Sequence, residues 1–495
     1  MDKQIVTRFA PSPTGYLHIG GLRTALYCYL FARKNNGNII LRIEDTDRSR
    51  LVEDALDNLI KTLNWAGLEF DEGPVQGGPS APYMQSERTE IYKKHANDLI
   101  KSGHAYKCFC TPQRLDEMRT EQQKKKVAPM YDRQCLYLDE KDIQKKLDKK
   151  IPYVVRLKIP HDQKIQYHDM IRGDMQFEGY NIDDQVLIKS DGYPTYHLAN
   201  VVDDNLMNIT HVIRGEEWLP STPKHIFLYQ AFGWAEPIFA HIPLLLNPDK
   251  TKLSKRHGHV SVEEYINDGY LPEALINYIT FLGWNPGTEQ EIFSMEELIK
   301  EFELSRVQKA GAIFTTEKLD WFNKQYMKKM EISEIAEKIK PHVLDAGLSI
   351  PIDSEGKPDE KFYHACIKST FERAKTFKEA PDLLKPLLTT PKTYNLELFN
   401  HEKMKVDKEI SLKAITSSLE ALDKLPEFQD EEQVKLKLTE VIENLNLKNG
   451  QVLWPLRVAL TNEEFSPGVF ELLVILKKDR AMARLLSAKE QLATS

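Results

Sequence analysis

Residues 5–21 read IVTRFAPSPTGYLHIGG, and this stretch decides the fold class. Residues 5–10 form a short apolar run that predicts a buried strand, which ends in the proline-rich and glycine-containing loop 11–15. From 22 to 34 the apolar side chains recur at helical spacing, and the sequence Asn-Asn-Gly at 35–37 ends that helix. A strand that passes through such a loop into a helix is the first unit of a parallel α/β sheet.

The same alternation continues further along the chain. Predicted strands lie at 39–43, 185–189 and 209–214, and predicted helices at 52–63 and 223–232. Parallel α/β sheets bind their ligands at the carboxyl ends of the strands. We therefore expect the polar loop after residue 10 and the acidic turn after residue 43 to contribute to one site.

A basic segment separates the two halves of the predicted α/β region. Residues 101–160 carry a local charge of +7, whereas the whole chain has a net charge of −7. Beyond about residue 325 strand signals nearly vanish and apolar residues repeat at helical spacing. The predicted fold class is therefore α/β, a Rossmann-like parallel-sheet domain split by an α/β insertion and followed by an all-α region. The boundaries are 1–100 for the first half, 101–185 for the insertion, 186–245 for the second half, 246–325 for a following region with a basic loop, and 326–495 for the helices.

Composition excludes several classes of protein. The 495 residues are 41% hydrophobic and 28% charged, which is typical of a folded globular chain and excludes a disordered or collagen-like one. Five cysteines are too few for a secreted disulfide framework. Because no apolar run approaches ~20 residues and no leader precedes the first strand, we expect a soluble protein of a reducing compartment, without a membrane partner.

Two segments have the chemistry of a nucleotide site. In residues 11–21 the glycines allow close approach of a phosphate to the backbone, and a helix N-terminus with His18 follows. The alternative is a plain turn in which His18 only caps the helix. About 230 residues later, KLSKRHG at 252–258 places two lysines around a serine, which suits a loop that neutralises triphosphate charge. The alternative there is a solvated basic loop, so the prediction depends on both segments meeting at one site.

These residues resemble a known family. HIGG at 18–21 and KLSKR at 252–256 resemble the HIGH and KMSKS signatures of class I aminoacyl-tRNA synthetases. The chain departs from those signatures at Gly21, Leu253 and Arg256, but both lysines remain. Further stretches resemble the bacterial-type glutamyl-tRNA synthetases, namely 8–15, 41–47, 190–200, 213–218 and 455–460.

The resemblance implies an activity and its partners. It implies that L-glutamate is activated with ATP and Mg²⁺ to glutamyl-adenylate and is then transferred to the 2′-hydroxyl of the terminal adenosine of tRNA(Glu). It also implies a cytoplasmic monomer. The insertion 101–185 would bind the tRNA acceptor end, 246–325 would contact the tRNA stem, and 326–495 would bind the anticodon, with Arg373 in the region that distinguishes anticodons.

The resemblance also implies roles for individual residues. Arg8 and Arg214 would pair with the glutamate carboxylates because a guanidinium matches their geometry, while Glu44 would hold the ammonium group. For each of these the alternative is a local structural role. The full glutamate set is Arg8, Ala10, Ser12, Glu44, Tyr196, Asn200 and Arg214. The ATP set is His18, Gly20, Gly21, Glu217, Trp218, Lys252, Ser254 and Lys255, of which His18 and Lys255 would be catalytic.

Cysteines cluster in the insertion. Cys108, Cys110 and Cys135 lie within 28 residues, and some members of the family bind zinc at such a CxC…C arrangement. Tetrahedral zinc needs a fourth ligand, for which the sequence offers only Tyr137, a poor ligand on general grounds. The alternative is a set of small buried or surface thiols, so zinc stays an open prediction. The other two cysteines, Cys28 and Cys366, have the pattern of core residues.

Four other functions must be weighed against this interpretation. A glutaminyl-tRNA synthetase would have a β-barrel C-terminal part, whereas this sequence predicts helices. The truncated paralogue that glutamylates a queuosine base lacks the last third, and other HxGH nucleotidyltransferases do not need a 495-residue chain. A catalytically inactive tRNA-binding protein would be expected to lose His18 or Lys255, and both are present.

Overall fold

The computed structural model describes residues 4–253, 260–353 and 355–494. These residues form two compact units. The first unit holds the described residues up to 266 together with 272–319, and the second holds 267–271 together with those from 320 onward. Every strand among the described residues belongs to the first unit, and the second unit is helical.

The first unit alternates strands and helices along the chain. Its strands are β1 (Val6–Phe9), β2 (Asn38–Leu41), β3 (Ala105–Cys108), β4 (Val154–Leu157), β5 (Lys164–Asp169), β6 (Gly173–Glu178), β7 (Val186–Ile188), β8 (His211–Gly215), β9 (Ile238–Ile242), β10 (Leu245–Leu246) and β11 (Ala312–Ile313). Its helices are α1 (Ile19–Lys34), α2 (Ala55–Trp65), α3 (Thr89–Lys101), α4 (Pro112–Lys124), α5 (Glu140–Asp148), α6 (Tyr196–Leu206), α7 (Thr222–Phe232), α8 (Val262–Asn267), α9 (Pro272–Phe281) and α10 (Met295–Glu301).

Parallel pairing dominates the part of the unit that holds the site. β1 pairs in parallel with β2, and β8 pairs in parallel with β9. The two pairs are neighbours, because the amide of Thr210, just before β8, donates to the carbonyl of Val6 at 2.9 Å. β5 continues the sheet beyond β9 in parallel and carries β6 as an antiparallel edge. The predicted parallel α/β architecture is confirmed.

The predicted insertion pairs with strands of the second half of the α/β domain. Its β4 pairs antiparallel with both β3 and β7, and its β5 pairs with β9. The boundaries at residues 100, 185 and 245 stay predictions.

A continuous apolar core lies beneath these sheets. Helices α6 and α7 contribute Val202 and Ile226, which pack with strand residues such as Ile40, Leu157 and Val212, all of them fully buried. Burial of this kind is the main favourable term in folding. The core holds the strands in place, so that the loops at their carboxyl ends have fixed starting points.

The second unit confirms the predicted helical region. Its helices are α11 (Thr316–Met327, which begins in the first unit), α12 (Ile332–Asp345), α13 (Glu360–Thr370), α14 (Ala380–Leu388), α15 (Lys408–Asp423), α16 (Glu431–Leu445), α17 (Asn449–Thr461) and α18 (Val469–Thr494). Within α18 the backbone of Lys477 leaves the helical region with a φ of 58°. Beyond Ile313 the described residues form no further strand, only isolated bridges. In the described ranges no helix is both long enough and apolar enough to span a bilayer.

Candidate active site

A cleft of about 1460 Å³ opens at the carboxyl ends of β1, β2 and β8. It is lined by the loop after β1, by Glu44 and Thr46 after β2, and by Gly215, Glu217 and Trp218 after β8. This is the edge of the sheet at which the sequence placed a ligand site, since parallel strands bring their following loops together there.

His18 is the N-cap of α1. Its backbone is extended, and its Nδ1 accepts a hydrogen bond from the amide of Gly21 at 3.0 Å. A Cβ atom at Gly20 would lie 3.1 Å from the His18 ring, and one at Gly21 would lie 2.8 Å from Leu17 Cδ1. Gly20 therefore leaves room for the imidazole over the first turn of the helix, and Gly21 leaves room for the Leu17 side chain.

The same contact fixes the tautomer of His18. An Nδ1 atom that accepts must be unprotonated, so the neutral ring carries its proton on Nε2. Burial lowers the pKa of His18, with Lys252 adding to the effect and Glu217 opposing it. At neutral pH the residue is thus an uncharged donor that lines the cleft.

The two ends of the basic loop meet the His18 motif. Lys252 and Leu253 line the cleft on one side. At the far end of the loop, the amide of Ile19 donates to the carbonyl of Val260, and the amide of Val262 donates to the carbonyl of Leu17, both at 2.9 Å. The described residues on either side of the lysine loop are therefore adjacent to the His18 motif, about 230 residues earlier in the chain. Ser254, Lys255 and Arg256 themselves lie outside the described residues.

Arg214 on β8 is a buried guanidinium surrounded by neutral acceptors. Nε donates to Nε2 of His241 at 3.1 Å, and Nη2 donates to Oγ1 of Thr222 at 2.9 Å. Nη1 reaches the hydroxyl of Tyr196 at 2.9 Å and Nδ1 of His225 at 3.2 Å. Within the described part of the chain, no carboxylate lies within 4.0 Å of this guanidinium.

Among the described residues, the charge of Arg214 thus has no acidic partner. Four of its five N–H groups have acceptors among the described residues, which leaves one for a ligand. A buried cation is costly unless an anion compensates it. Since Arg214 lines the cleft, the arrangement suits a substrate that carries a carboxylate.

Tyr196 lies between Arg214 and the ring of Trp218. It accepts from Arg214, which leaves its own hydroxyl proton without an acceptor among the described residues. Its ring stacks obliquely on Trp218, with the ring centroids 4.1 Å apart. Trp218 is half-buried and lines the cleft beside Glu217, so an aromatic face is available to a planar base.

Arg8 differs from Arg214 because it already has a carboxylate partner. Its Nε lies 3.1 Å from Oδ1 of Asp204, and both side chains are almost fully buried. Arg42 binds the same Oδ1 at 2.7 Å and also binds Glu44 Oε1 at 3.2 Å. Burial lowers the pKa of Arg8, but Asp204, Tyr196 and Cys28 together outweigh it and raise the pKa overall. Arg8 therefore lines the cleft as part of an ion-pair network.

Glu44 and Asn200 belong to this network. With the Asn200 amide oriented to satisfy both neighbours, its nitrogen donates to Asp204 Oδ2 at 3.2 Å and its oxygen accepts from Arg42 at 3.0 Å. Burial raises the pKa of Glu44, while Arg42 and Arg8 oppose that shift. Only Oε1 of Glu44 has a hydrogen-bond partner among the described residues, so Oε2 is available to a cation.

The structure brings most of the selected residues to one cleft. From the glutamate set these are Arg8, Ala10, Ser12, Glu44, Tyr196, Asn200 and Arg214, and from the ATP set His18, Gly20, Gly21, Glu217, Trp218 and Lys252. Their individual roles remain predictions. The sequence does not reveal four residues that support Arg214 from within the protein, namely Thr222, His225, His241 and, through His241, Asp169. No local motif marks these four residues, because each reaches Arg214 only through the pairing of strands or the packing of α7.

The three cysteines of the insertion also meet. The sulfurs of Cys108, Cys110 and Cys135 lie within 4.8 Å of one another. The phenol beside them belongs to Tyr131, whose hydroxyl lies 3.3 Å from both Cys108 Sγ and Cys110 Sγ. Tyr137, the ligand selected from the sequence, is instead 79% exposed. Cys28 and Cys366 are fully buried, as predicted.

The sulfur cluster has the chemistry of a soft-metal site. A hydrogen bond from Cys135 lowers the pKa of Cys108, so one thiolate forms readily within the group. Three thiols and a phenol provide four donor atoms, the number that structural zinc takes. The donor set therefore fits zinc better with Tyr131 than with Tyr137.

Comparison with known proteins defines the class. Residues 4–321 match the family described as "tRNA synthetases class I (E and Q), catalytic domain", and residues 334–489 match "Anticodon binding domain". Together with the cleft and the N-capping histidine, these matches define a class I tRNA synthetase.

Full-length relatives narrow the assignment. The chain is 45% identical to a glutamate–tRNA ligase of Chlorobium phaeovibrioides, covering 98% of this chain and 94% of the relative. It is 44% identical to one of Clostridium botulinum, covering 98% of each. A crystal structure of a glutamate tRNA ligase from Elizabethkingia meningosepticum in complex with its amino acid superposes with a TM-score of 0.89, at 39% identity over 99% of this chain and 100% of the other. The chain belongs to the glutamate–tRNA ligase family.

Proposed function

We propose that the protein joins L-glutamate to tRNA(Glu) in two steps. In the first step a carboxylate oxygen of glutamate attacks the α-phosphorus of ATP, and the bond to the bridging oxygen breaks to release pyrophosphate. In the second step the 2′-hydroxyl of the terminal tRNA adenosine attacks the activated carbonyl and AMP leaves. No nucleophile from the protein is needed, so the side chains position the reactants and stabilise charge.

The observation that carries this proposal is the buried Arg214, which has no carboxylate partner within the part of the chain that the structure describes. One free N–H on Arg214 and the free hydroxyl proton of Tyr196 form a two-point donor set for a carboxylate. The free oxygen of Glu44 in the same cleft supplies an acceptor for the α-ammonium group. An amino acid with an additional negative charge satisfies all three groups at once.

The other part of the cleft supports ATP binding. We assign the Nε2 proton of His18 and the backbone at Gly20 and Gly21 to the phosphates, since helix N-termini bind anions. Trp218 provides the face for the adenine ring, and Lys252 adds positive charge. Mg²⁺ would travel with ATP on phosphate oxygens and water. Lys255 keeps its predicted catalytic role.

The remaining parts of the chain are assigned to tRNA. The helical second unit, which matches an anticodon-binding family, would bind the anticodon loop, whose unstacked bases proteins read through stacking and hydrogen bonds. The basic insertion would bind the acceptor end. We expect a cytoplasmic monomer, so sedimentation velocity should give a mass near 57.2 kDa without tRNA.

Zinc is proposed as a structural ion held by Cys108, Cys110, Cys135 and Tyr131. Metal analysis of the purified protein should give about one zinc per chain, because closed four-ligand sites bind zinc tightly. Tyr131→Phe should lower the zinc content, whereas Tyr137→Phe should leave it unchanged. Zinc loss in the Tyr137 variant alone would favour the ligand selected from the sequence.

Pyrophosphate exchange tests the main proposal. We expect exchange that needs both glutamate and tRNA(Glu), and Arg214→Gln should lose most of it while ATP binding persists. Charging of purified tRNA(Glu) and tRNA(Gln) with labelled glutamate then shows whether one or both are substrates. Exchange that proceeds with glutamine in place of glutamate would contradict the amino-acid assignment.

A further inference from the structure

A line of three side chains runs from the insertion to Arg214. Arg214 on β8 is paired in register with His241 on β9, and Nε of Arg214 donates to Nε2 of His241 at 3.1 Å. On its other side, Nδ1 of His241 lies 2.6 Å from Oδ2 of Asp169, at the end of β5. The side chains of Asp169 and His241 are fully buried.

The direction of each proton in this line is fixed. Burial lowers the pKa of His241 to about 4, although the hydrogen bond to Asp169 opposes the shift, so the ring is neutral at pH 7. Burial raises the pKa of Asp169, but the hydrogen bonds from His241 and from the amides of Arg172 and Ile171 act together against it, and the net shift is downward, which leaves the carboxyl ionised. An ionised carboxylate only accepts, so His241 carries its proton on Nδ1 and presents the Nε2 lone pair to Arg214.

Asp169 is itself held by the backbone. Its Oδ1 accepts from the amides of Ile171, Arg172 and His241 at 2.9–3.3 Å, which leaves Oδ2 for the His241 ring. The carboxylate therefore cannot turn without losing these bonds.

We propose that Asp169 and His241 are positioning residues that orient Arg214 toward the side-chain carboxylate of the amino-acid substrate, and so set the affinity for glutamate and its preference over glutamine. This proposal rests on the function proposed above. The anionic Asp169 makes Nε2 of His241 a stronger acceptor for the Nε–H of Arg214. Arg214 thereby gains a firm partner but no carboxylate that would neutralise its charge. The guanidinium is held in one orientation and its charge stays available to the substrate.

Asp169→Asn tests the line directly. The three backbone amides require the amide oxygen of the new side chain at Oδ1, so its NH₂ must point at His241 Nδ1. His241 then has to carry its proton on Nε2, where it opposes the N–H of Arg214. We expect the KM for glutamate to rise ~10- to 50-fold, because one hydrogen bond of a charged group is lost. The KM for ATP should change less than ~2-fold.

A second variant pair keeps the test independent of folding defects. His241→Gln can offer an amide oxygen to Arg214 whatever residue stands at 169, whereas His241→Leu cannot. We expect a low KM for glutamate in the Gln variant and a high one in the Leu variant. Adding Asp169→Asn to His241→Gln should give no further rise, because coupled residues are not additive. The matched control is Asp174→Asn, which alters an exposed Asp–His pair with His168.

The measurements are steady-state charging of tRNA(Glu) at varied glutamate, varied glutamine and varied ATP. A rise in the KM for glutamate alone, with a smaller preference for glutamate over glutamine, supports the proposal. Equal rises for glutamate and ATP, an unchanged KM for glutamate, or equal values for the Gln and Leu variants would overturn it. If the unmodified protein shows no charging with glutamate at all, the proposed function fails instead.

Discussion

One ring nitrogen of His18 caps α1, and the other has no hydrogen-bond partner among the described residues, so the proposed catalytic task can be tested separately from the capping task. His18→Ala removes both, while His18→Asn keeps an N-cap acceptor but has no donor at the Nε2 position. We expect kcat of both variants to fall ~10²- to 10³-fold, the usual loss for one transition-state donor. Only the Ala variant should also lose about 1 kcal/mol of unfolding free energy.

Charging kinetics and urea unfolding of the two variants distinguish the tasks. Near-normal kcat in His18→Asn would mean that the residue only caps the helix, which is the alternative that the sequence left open. Equal stability of the Ala and Asn variants would contradict the capping role seen in the Nδ1 contact.

At the residue scale the sequence predicted which side chains line the cleft better than how they are paired. The sequence predicts the same task for Arg8 and Arg214, yet Arg8 shares Asp204 with Arg42, whereas the described partners of Arg214 are all neutral. Asp204 lies 196 residues from Arg8, so no local pattern connects them. Pairing of this kind follows from strand order, which motifs do not encode.

At the element scale, β8 begins with a buried histidine that should make the fold acid-sensitive. Burial lowers the pKa of His211 to about 4, below the ~6.5 of an unfolded chain. Between these values the unfolded state binds more protons, so the stability contribution present above pH 6.5 is lost as pH falls toward 4. His211→Asn should remove this dependence. Between pH 7 and pH 5 the unmodified protein should therefore lose about 2 kcal/mol more of its free energy of unfolding than the variant loses.

Calorimetric melting at pH 7 and pH 5 checks this expectation. The matched control is His168→Asn, since the His168 side chain is 68% exposed. A pH response of the His211 variant that equals that of the control would show that His211 is not a source of the acid sensitivity.

In the second unit one arginine closes the ends of two helices. Arg484 on α18 donates to the carbonyls of Pro386, Leu387 and Thr389 at the end of α14 and to Leu460 at the end of α17, at 2.5–2.8 Å. The last carbonyls of a helix have no partner within it. Arg484→Met should therefore cost about 3 kcal/mol, and Arg484→Lys less, because an ammonium keeps the charge but reaches fewer carbonyls.

Urea unfolding followed by circular dichroism measures the loss. Lys489→Met on the same helix is the control, and it should change stability by less than ~0.5 kcal/mol because the side chain is only half-buried. If the Met variant at 484 is as stable as the control, the carbonyls are satisfied by other means.

Elements with strong periodicity were predictable, and those made by tertiary pairing were not. The predicted strand at 209–214 is β8, and the predicted helix at 223–232 is α7, each within two residues. β10 and β11 have two residues each and form by pairing with one another, so no local stretch of sequence predicts them. β5 could have been found, because its residues alternate strictly between exposed and buried.

At the scale of the whole molecule, the switch from mixed to helical structure was predictable because it needs only the change of periodicity near residue 325. The sequence could not show that residues 267–271 join the second unit, since that depends on their packing against residues from 320 onward. Net charge was equally uninformative, since −7 overall conceals the +7 of residues 101–160.

That local charge leads to a prediction about tRNA affinity. Lys124, Lys125 and Lys126 are exposed where α4 ends, and a protein that neutralises phosphates releases condensed counterions. Replacing all three with Gln should raise the KM for tRNA(Glu) ~5- to 20-fold at low salt. The slope of log KM against log salt concentration should become shallower by the equivalent of up to ~3 phosphate contacts. The KM for glutamate should not change, because none of the three lysines lines the cleft.

The matched control replaces the same lysines with Arg, which keeps the charge and changes the shape. Charging assays at several salt concentrations should give the Arg variant the slope of the unmodified protein and the Gln variant a shallower one. Equal slopes for the Gln variant and the unmodified protein would remove these lysines from the tRNA surface. Equal losses in the Gln and Arg variants would mean that lysine geometry, rather than charge, governs the contact with the acceptor end.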